Sequence, residues 1–116
     1  MNTLSVRNQQ RVHRIASREF KKAATITLEQ LFQAPSYQLS VAFVSPKRMT
    51  EVNEAHLQHE GPTDIITFDY SEPDTLDGEL LICPAIAAEY SQRYNVSLGR
   101  ELARYFIHGV LHLQGH

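Results

Sequence analysis

The sequence predicts a layered fold that mixes strands and helices around one small sheet, of the α/β or α+β class. Three observations predict it. Short apolar-alternating stretches, such as Leu39, Val41 and Phe43 set between Ser40, Ala42 and Val44, read as half-buried strands. Longer segments carry apolar residues at helical spacing behind plain capping residues. At 116 residues, 42% of them hydrophobic and 21% charged, the chain has the size and composition of one globular domain, 1–116. A chain of this length buries roughly 65% of the surface its unfolded form exposes.

Each element has a local reason. Residues 8–32 read as helical, with Val12, Ile15, Phe20 and Leu28 directed inward. Ala34-Pro35-Ser36 breaks that pattern before the Leu39–Val44 strand. Ser45-Pro46 supplies an N-cap and a first-turn proline, so a helix runs from Pro46 to about Leu57 with Met49 and Val52 inward. Gly61-Pro62 is a turn, residues 64–70 a strand, and 71–74 a loop. Residues 78–83 form another strand, and Pro84 starts a helix that ends near Asn95. Ser97 caps a last helix whose apolar side holds Leu98, Leu102, Phe106 and Val110.

Charge is uneven. The net value is −2, which argues against an indiscriminate nucleic-acid binder. Residues 1–22 are basic, whereas residues 51–89 contain acids and no Lys or Arg. Arg7, Arg11, Arg14 and Arg18 recur at helical steps, so one helix makes them a single stripe, either a solvated face or a phosphate-contacting ridge. Cys83 is the single cysteine, so no intramolecular disulfide forms, and it ends an apolar run as a small buried hydrophobe. The N-terminus has no apolar signal region, and the longest apolar run is too short to span a bilayer. These features predict a cytoplasmic protein with no membrane partner.

The segment with most chemistry is His108-Gly109-Val110-Leu111-His112-Leu113-Gln114-Gly115-His116. His108 and His112 are four apart, so a helix places both imidazoles on one face, where they supply half of a tetrahedral zinc site. An unbroken helix would carry His116 about 12 Å beyond His108, out of reach of the same ion. Gly115 is a helix terminator that lets the chain turn back before that point. Gly109 stands where a zinc protease of the His-Glu-x-x-His type carries its general base, so a standard metalloprotease is disfavoured. Arg100 and Arg104 precede His108 on roughly the same stripe and read as a phosphate clamp or as plain surface arginines. Asp64 and Glu79 read as strand-end caps, as hydrogen-bond acceptors behind a ligand histidine, or as proton acceptors. His13, His56 and His59 read as surface residues, His59 with a lesser claim on a binding groove.

That histidine segment resembles the signature of the YbeY family of metal-dependent endoribonucleases, His-Gly-x-x-His-Leu-x-Gly followed by a third histidine six residues after the second. Gly61-Pro62-Thr63-Asp64-Ile65-Ile66-Thr67-Phe68 is similar to the family's Pro-Thr-Asp-Val-Leu-Ser-Phe strand. Asp77-Gly78-Glu79-Leu80-Leu81-Ile82-Cys83 is similar to its Leu-Gly-Asp-Ile-x-Ile strand. The likeness covers about residues 39–116. It implies an α+β fold, a small mixed β-sheet flanked by helices, with the metal site on the C-terminal helix. It implies one Zn2+ per chain on His108 and His112, and cleavage of single-stranded RNA in ribosomal RNA maturation and ribosome quality control. The implied partners are ribosomal RNA, the small ribosomal subunit and its assembly factors.

Two positions depart from the family. Its third histidine falls at position 118, past the last residue given, so His116 or water completes the site, or the remaining ligand lies beyond this sequence. Its usual arginine, six residues before the Thr-Asp pair, is Leu57 here, which weakens RNA binding or catalysis or passes that task to another residue. No general base is identified. The alternative is a ribosome-assembly binding module with a structural zinc site and little catalysis. Hydrolysis of a peptide or small molecule at the same metal ranks third, because the glutamate is missing.

Overall fold

The computed structural model describes residues 2–30, 36–57 and 65–115. Its elements are β1 (Thr3–Asn8), α1 (Ser17–Gln30), β2 (Tyr37–Phe43), α2 (Pro46–Val52), β3 (Ile65–Asp69), β4 (Leu76–Ile82), α3 (Pro84–Tyr94) and α4 (Leu98–Leu113). The sheet order is β1-β2-β4-β3. β1, β2 and β4 run parallel, and β3 closes the edge antiparallel to β4. The result is a small mixed sheet flanked by helices, the α+β class implied by the family resemblance.

The N-terminal segment differs from its helical reading. Residues 3–8 form an edge strand in which Leu4 and Val6 turn inward while Thr3, Ser5 and Arg7 stay exposed. A period of two therefore governs them, not 3.6. The chain then loops until α1. Gln10 organises that loop: its side-chain oxygen accepts from the Val12 and His13 backbone N–H groups at 3.2 and 2.9 Å. Its amide nitrogen donates to the Asn8 side chain and the His13 carbonyl. These bonds offer the backbone an alternative to a helical ladder. Val12 is consequently 84% exposed rather than inward. Arg7 lies in β1, Arg11 and Arg14 in the loop and Arg18 in α1, so the four do not form one helical stripe.

The sheet has two covered faces. On one, Leu39, Val41, Phe43, Leu80 and Ile82 meet Phe20 and Leu28 of α1 and Leu102, Phe106 and Val110 of α4. Phe20 sets its ring edge-on against Phe43 and Phe106, with centroids 5.0 and 5.7 Å away. Such contacts add to the area that three aromatic rings bury. On the other face, Ala42, Val44 and Ile66 meet Met49 and Val52 of α2 and Cys83. Ala42 and Val44 are thus buried as well, because α2 covers that end of the sheet. The opposite end of the same face stays open and polar, with Thr3, Ser5, Gln38, Ser40 and Glu79 side by side.

The helix starts follow their capping residues. The Ser45 hydroxyl accepts from the Arg48 N–H and Ser97 from Arg100, each at 3.1 Å. α2 gives way to a π-helical turn over Asn53–Leu57, where a continuous α-helix was expected. β4 begins two residues earlier than expected, since Ser71 bonds Asp77 across the connection and brackets it against β3. α3 ends at Asn95, whose left-handed backbone (φ 56°, ψ 44°) turns the chain into α4. No helix among the described residues is long and apolar enough to cross a membrane.

Candidate functional site

α4 is the element that carries the histidines. Its buried side holds Leu102, Tyr105, Phe106, Gly109, Val110 and Leu113, which fixes the rotation of the helix on the sheet. With that face inward, His108 and His112 both point to solvent. They sit one turn apart, about 6 Å along the axis. α4 stops at Leu113: the Gln114 and Gly115 N–H groups bond back to Val110 and Leu111 and to His112, and Gly115 takes φ +89°. The expected terminator is therefore in place directly after the pair.

Gly109 has a packing reason. A Cβ added there would collide with Cδ2 of Leu80 and stand 2.8 Å from Cδ1 of Ile65. The small residue lets α4 lie close on β3 and β4. Gly78 works from the other side: a Cβ there would stand 2.7 Å from the Phe68 carbonyl oxygen and 3.0 Å from both Leu113 methyls. The position that holds a glutamate in zinc proteases is, in this fold, buried against the sheet and turned away from the histidines.

The donor chemistry at this face suits a borderline divalent cation such as zinc: two exposed imidazoles with the i, i+4 relation on a rigid helix. The described residues contain no cluster of three or more His, Cys, Asp or Glu placed to hold a metal. A zinc ion held at this face would take two donors from His108 and His112, and its others from outside the described residues or from water. His116, His59 and Asp64 lie outside them, as do the side chains of His56 and Leu57.

Other sequence-predicted residues fall elsewhere. Glu79 lies inside β4, not at its end, and is exposed on the open polar face of the sheet. Its neighbours Gly78 and Leu80 point to α4, so Glu79 points away and does not support either histidine. His13 is half-buried in the loop before α1. Cys83 is fully buried between β4 and α3, and burial pushes its thiol pKa up. It stays protonated and packs as a small hydrophobe, as expected.

Arg100 and Arg104 are exposed on the same run of α4 as His108. Arg104 is not a free clamp. Its Nε donates to the Glu101 carboxylate at 2.5 Å, and Glu101 is only 3% exposed. That hydrogen bond pushes the Arg104 guanidinium pKa further up. The guanidinium also lies over the rings of Tyr90 and Tyr105. Sequence reasoning missed this grouping, although Tyr90 and Tyr94 stand at i, i+4 on α3 and so share a side of that helix.

The chain is similar to several known proteins. A family sequence model described as Endoribonuclease YbeY matches residues 5–116. A Bacteroides fragilis protein named Endoribonuclease YbeY is 40% identical over 97 residues, covering 84% of this chain and 67% of its own length. Its namesake in Phocaeicola vulgatus is 41% identical over 78 residues, 67% of this chain and 56% of that protein. Another in Frankia casuarinae is 34% identical over 106 residues, 80% of this chain and 53% of that protein. The chain thus spans between about half and two thirds of the length of these relatives. Among solved structures, the solution structure of TM1509 from Thermotoga maritima matches with a TM-score of 0.69 at 26% identity, over 98% of this chain and 73% of that one. A family match that takes in β1 through α4, together with this agreement in fold, shows that the chain belongs to the YbeY endoribonuclease family.

Proposed function

We propose that the chain is a metal-dependent endoribonuclease that cuts single-stranded RNA in ribosomal RNA maturation and ribosome quality control. The observation that carries this reading is the exposed His108–His112 pair on α4, in a chain of the endoribonuclease family. His108 and His112 hold a zinc ion through ring nitrogens. When bound, such an ion polarises a phosphoryl oxygen and lowers the pKa of a coordinated water. The rest of α4 serves geometry. Its apolar stripe and Gly109 keep the two imidazoles at a constant spacing, which limits the reorganisation needed when RNA arrives. Arg100 stands about 12 Å before His108 on the exposed side and pairs with a backbone phosphate. The reading places the protein in the cytoplasm, with ribosomal RNA, the small ribosomal subunit and its assembly factors as partners.

The test compares a single-stranded RNA with the duplex of the same sequence, with and without a chelator. The single strand is expected to be cut and the duplex spared. Chelation should abolish cutting, and added zinc should restore it. Cleavage that ignores the chelator contradicts the metal reading. Ribosome association without any cleavage favours a binding module with a structural zinc.

A further inference from the structure

α3 and α4 together expose a second constellation, which shares only Arg100 with the histidine site. Tyr90 and Tyr94 stack with centroids 4.4 Å apart and planes tilted by 36°. The Arg104 guanidinium stands 5.0 Å from the Tyr90 centroid, held there by Glu101. An open pocket of about 480 Å³ lies beside Tyr90, lined also by Val96, Arg100, Arg104 and Ile107. These rings are not core residues: Tyr94 is 55% exposed and Tyr90 39%. Cations flank them. Arg93 and Arg100 are exposed, and no ion pair to either is seen among the described residues. The exposed carboxylate on these two helices is Glu89, since Glu101 is buried against Arg104.

The position relates this surface to the histidines. Arg100, Arg104 and His108 follow at four-residue steps along the exposed side of α4. The Arg104 side chain folds back to Glu101, so the guanidinium over Tyr90 lies about 10 Å along the helix axis from His108. Flat π-faces beside exposed cations match unpaired bases and the phosphates that link them. Tyr and Arg also anchor protein partners, but there they sit in well-packed, desolvated pockets, whereas this surface is open and cationic.

We infer that Tyr90, Tyr94 and Arg100 form a stacking platform for unpaired nucleotides of RNA, flanking the bond addressed at His108 and His112. The assignment rests on the RNA-hydrolase reading and extends it. Tyr94, the more exposed ring, offers its outer face to a base, Tyr90 backs it, Arg100 takes a phosphate, and Arg104 is a positioning residue that fixes the Tyr90 ring. Bases locked inside a duplex cannot reach such a platform, so it discriminates in favour of single strands.

The test is fluorescence anisotropy of a short labelled single-stranded RNA, in chelator so that the probe is not consumed. Tyr94→Ala is expected to raise Kd about tenfold, and Tyr94→Phe, which keeps the ring, to stay near the unsubstituted value. Arg100→Ala should weaken binding and lower the slope of log K against log salt by about one. Both side chains are exposed, so thermal melts should stay close to the unsubstituted protein. Unchanged Kd for Tyr94→Ala and Arg100→Ala, in a protein that binds and cuts RNA, overturns the platform and leaves the RNA-hydrolase reading standing. That result would turn the surface over to a protein partner. An equal loss of affinity for single-stranded and duplex RNA also overturns the stacking role. If the unsubstituted protein neither binds nor cuts RNA, both readings fall.

Discussion

Replacing His112 by alanine is expected to lower RNA cleavage by at least about a hundredfold while leaving the fold intact. Partners that merely orient a metal ligand cost 10- to 100-fold when lost, so loss of the ligand itself sets that range as a floor. His112 is exposed in the last turn of α4 and packs nothing into the core. Its removal should therefore change unfolding free energy by no more than about 0.5 kcal/mol, the usual range for such surface positions. His108→Ala should behave alike, since the two rings share one face. The paired readouts matter. Rates from a fluorogenic single-stranded RNA measure the site, and urea denaturation measures the fold. Activity within a few-fold of the unsubstituted protein would remove His112 from the reaction.

The second large effect concerns stability. Gly109→Glu would place in this chain the residue that zinc proteases carry between their histidines. In this fold it should cripple folding and create no peptidase. The new Cβ meets Leu80 and Ile65, and Leu80 is fully buried. Overpacking of this kind costs about 1–3 kcal/mol. The carboxylate adds a buried, unpartnered charge, worth several kcal/mol more. Against a total stability of about 5–15 kcal/mol, the sum removes much or all of the folded population. Gly109→Ala is the graded control, because the better helix propensity of alanine offsets about 1 kcal/mol of its overpacking. The midpoint of urea unfolding by circular dichroism checks both. An unchanged midpoint for Gly109→Glu would mean that α4 does not sit on β3 and β4 as described.

Parts of this structure were readable from the chain because their causes are local. α4 carries all its signals within itself: Ser97 as cap, an apolar stripe through Leu102, Phe106 and Val110, and Gly115 as terminator. The exposed His108–His112 face follows from that stripe. β1 was not readable, because what makes it a strand is pairing with Gln38–Phe43, some 35 residues further on. Without that partner, the arginine spacing of residues 7–18 imitates a helix. The Gln10 loop is equally hidden, since one side chain replaces a run of helical hydrogen bonds. Glu79 shows a different lesson. Its alternation with Leu80 already assigns it to the face away from α4, and the register with Ser40 and Phe68 bears that out. The platform of Tyr90, Tyr94 and Arg104 needs α3 laid against α4, and no local pattern encodes that distance.

The central claim is that His108 and His112 hold a metal ion, and metal content tests it most directly. The protein, its His108→Ala and its His112→Ala variants would be purified in parallel and analysed by inductively coupled plasma mass spectrometry. The account predicts close to one zinc per chain in the unsubstituted protein and a large loss in both variants. Equal metal in all three, or none in the unsubstituted protein after exposure to zinc, would contradict it.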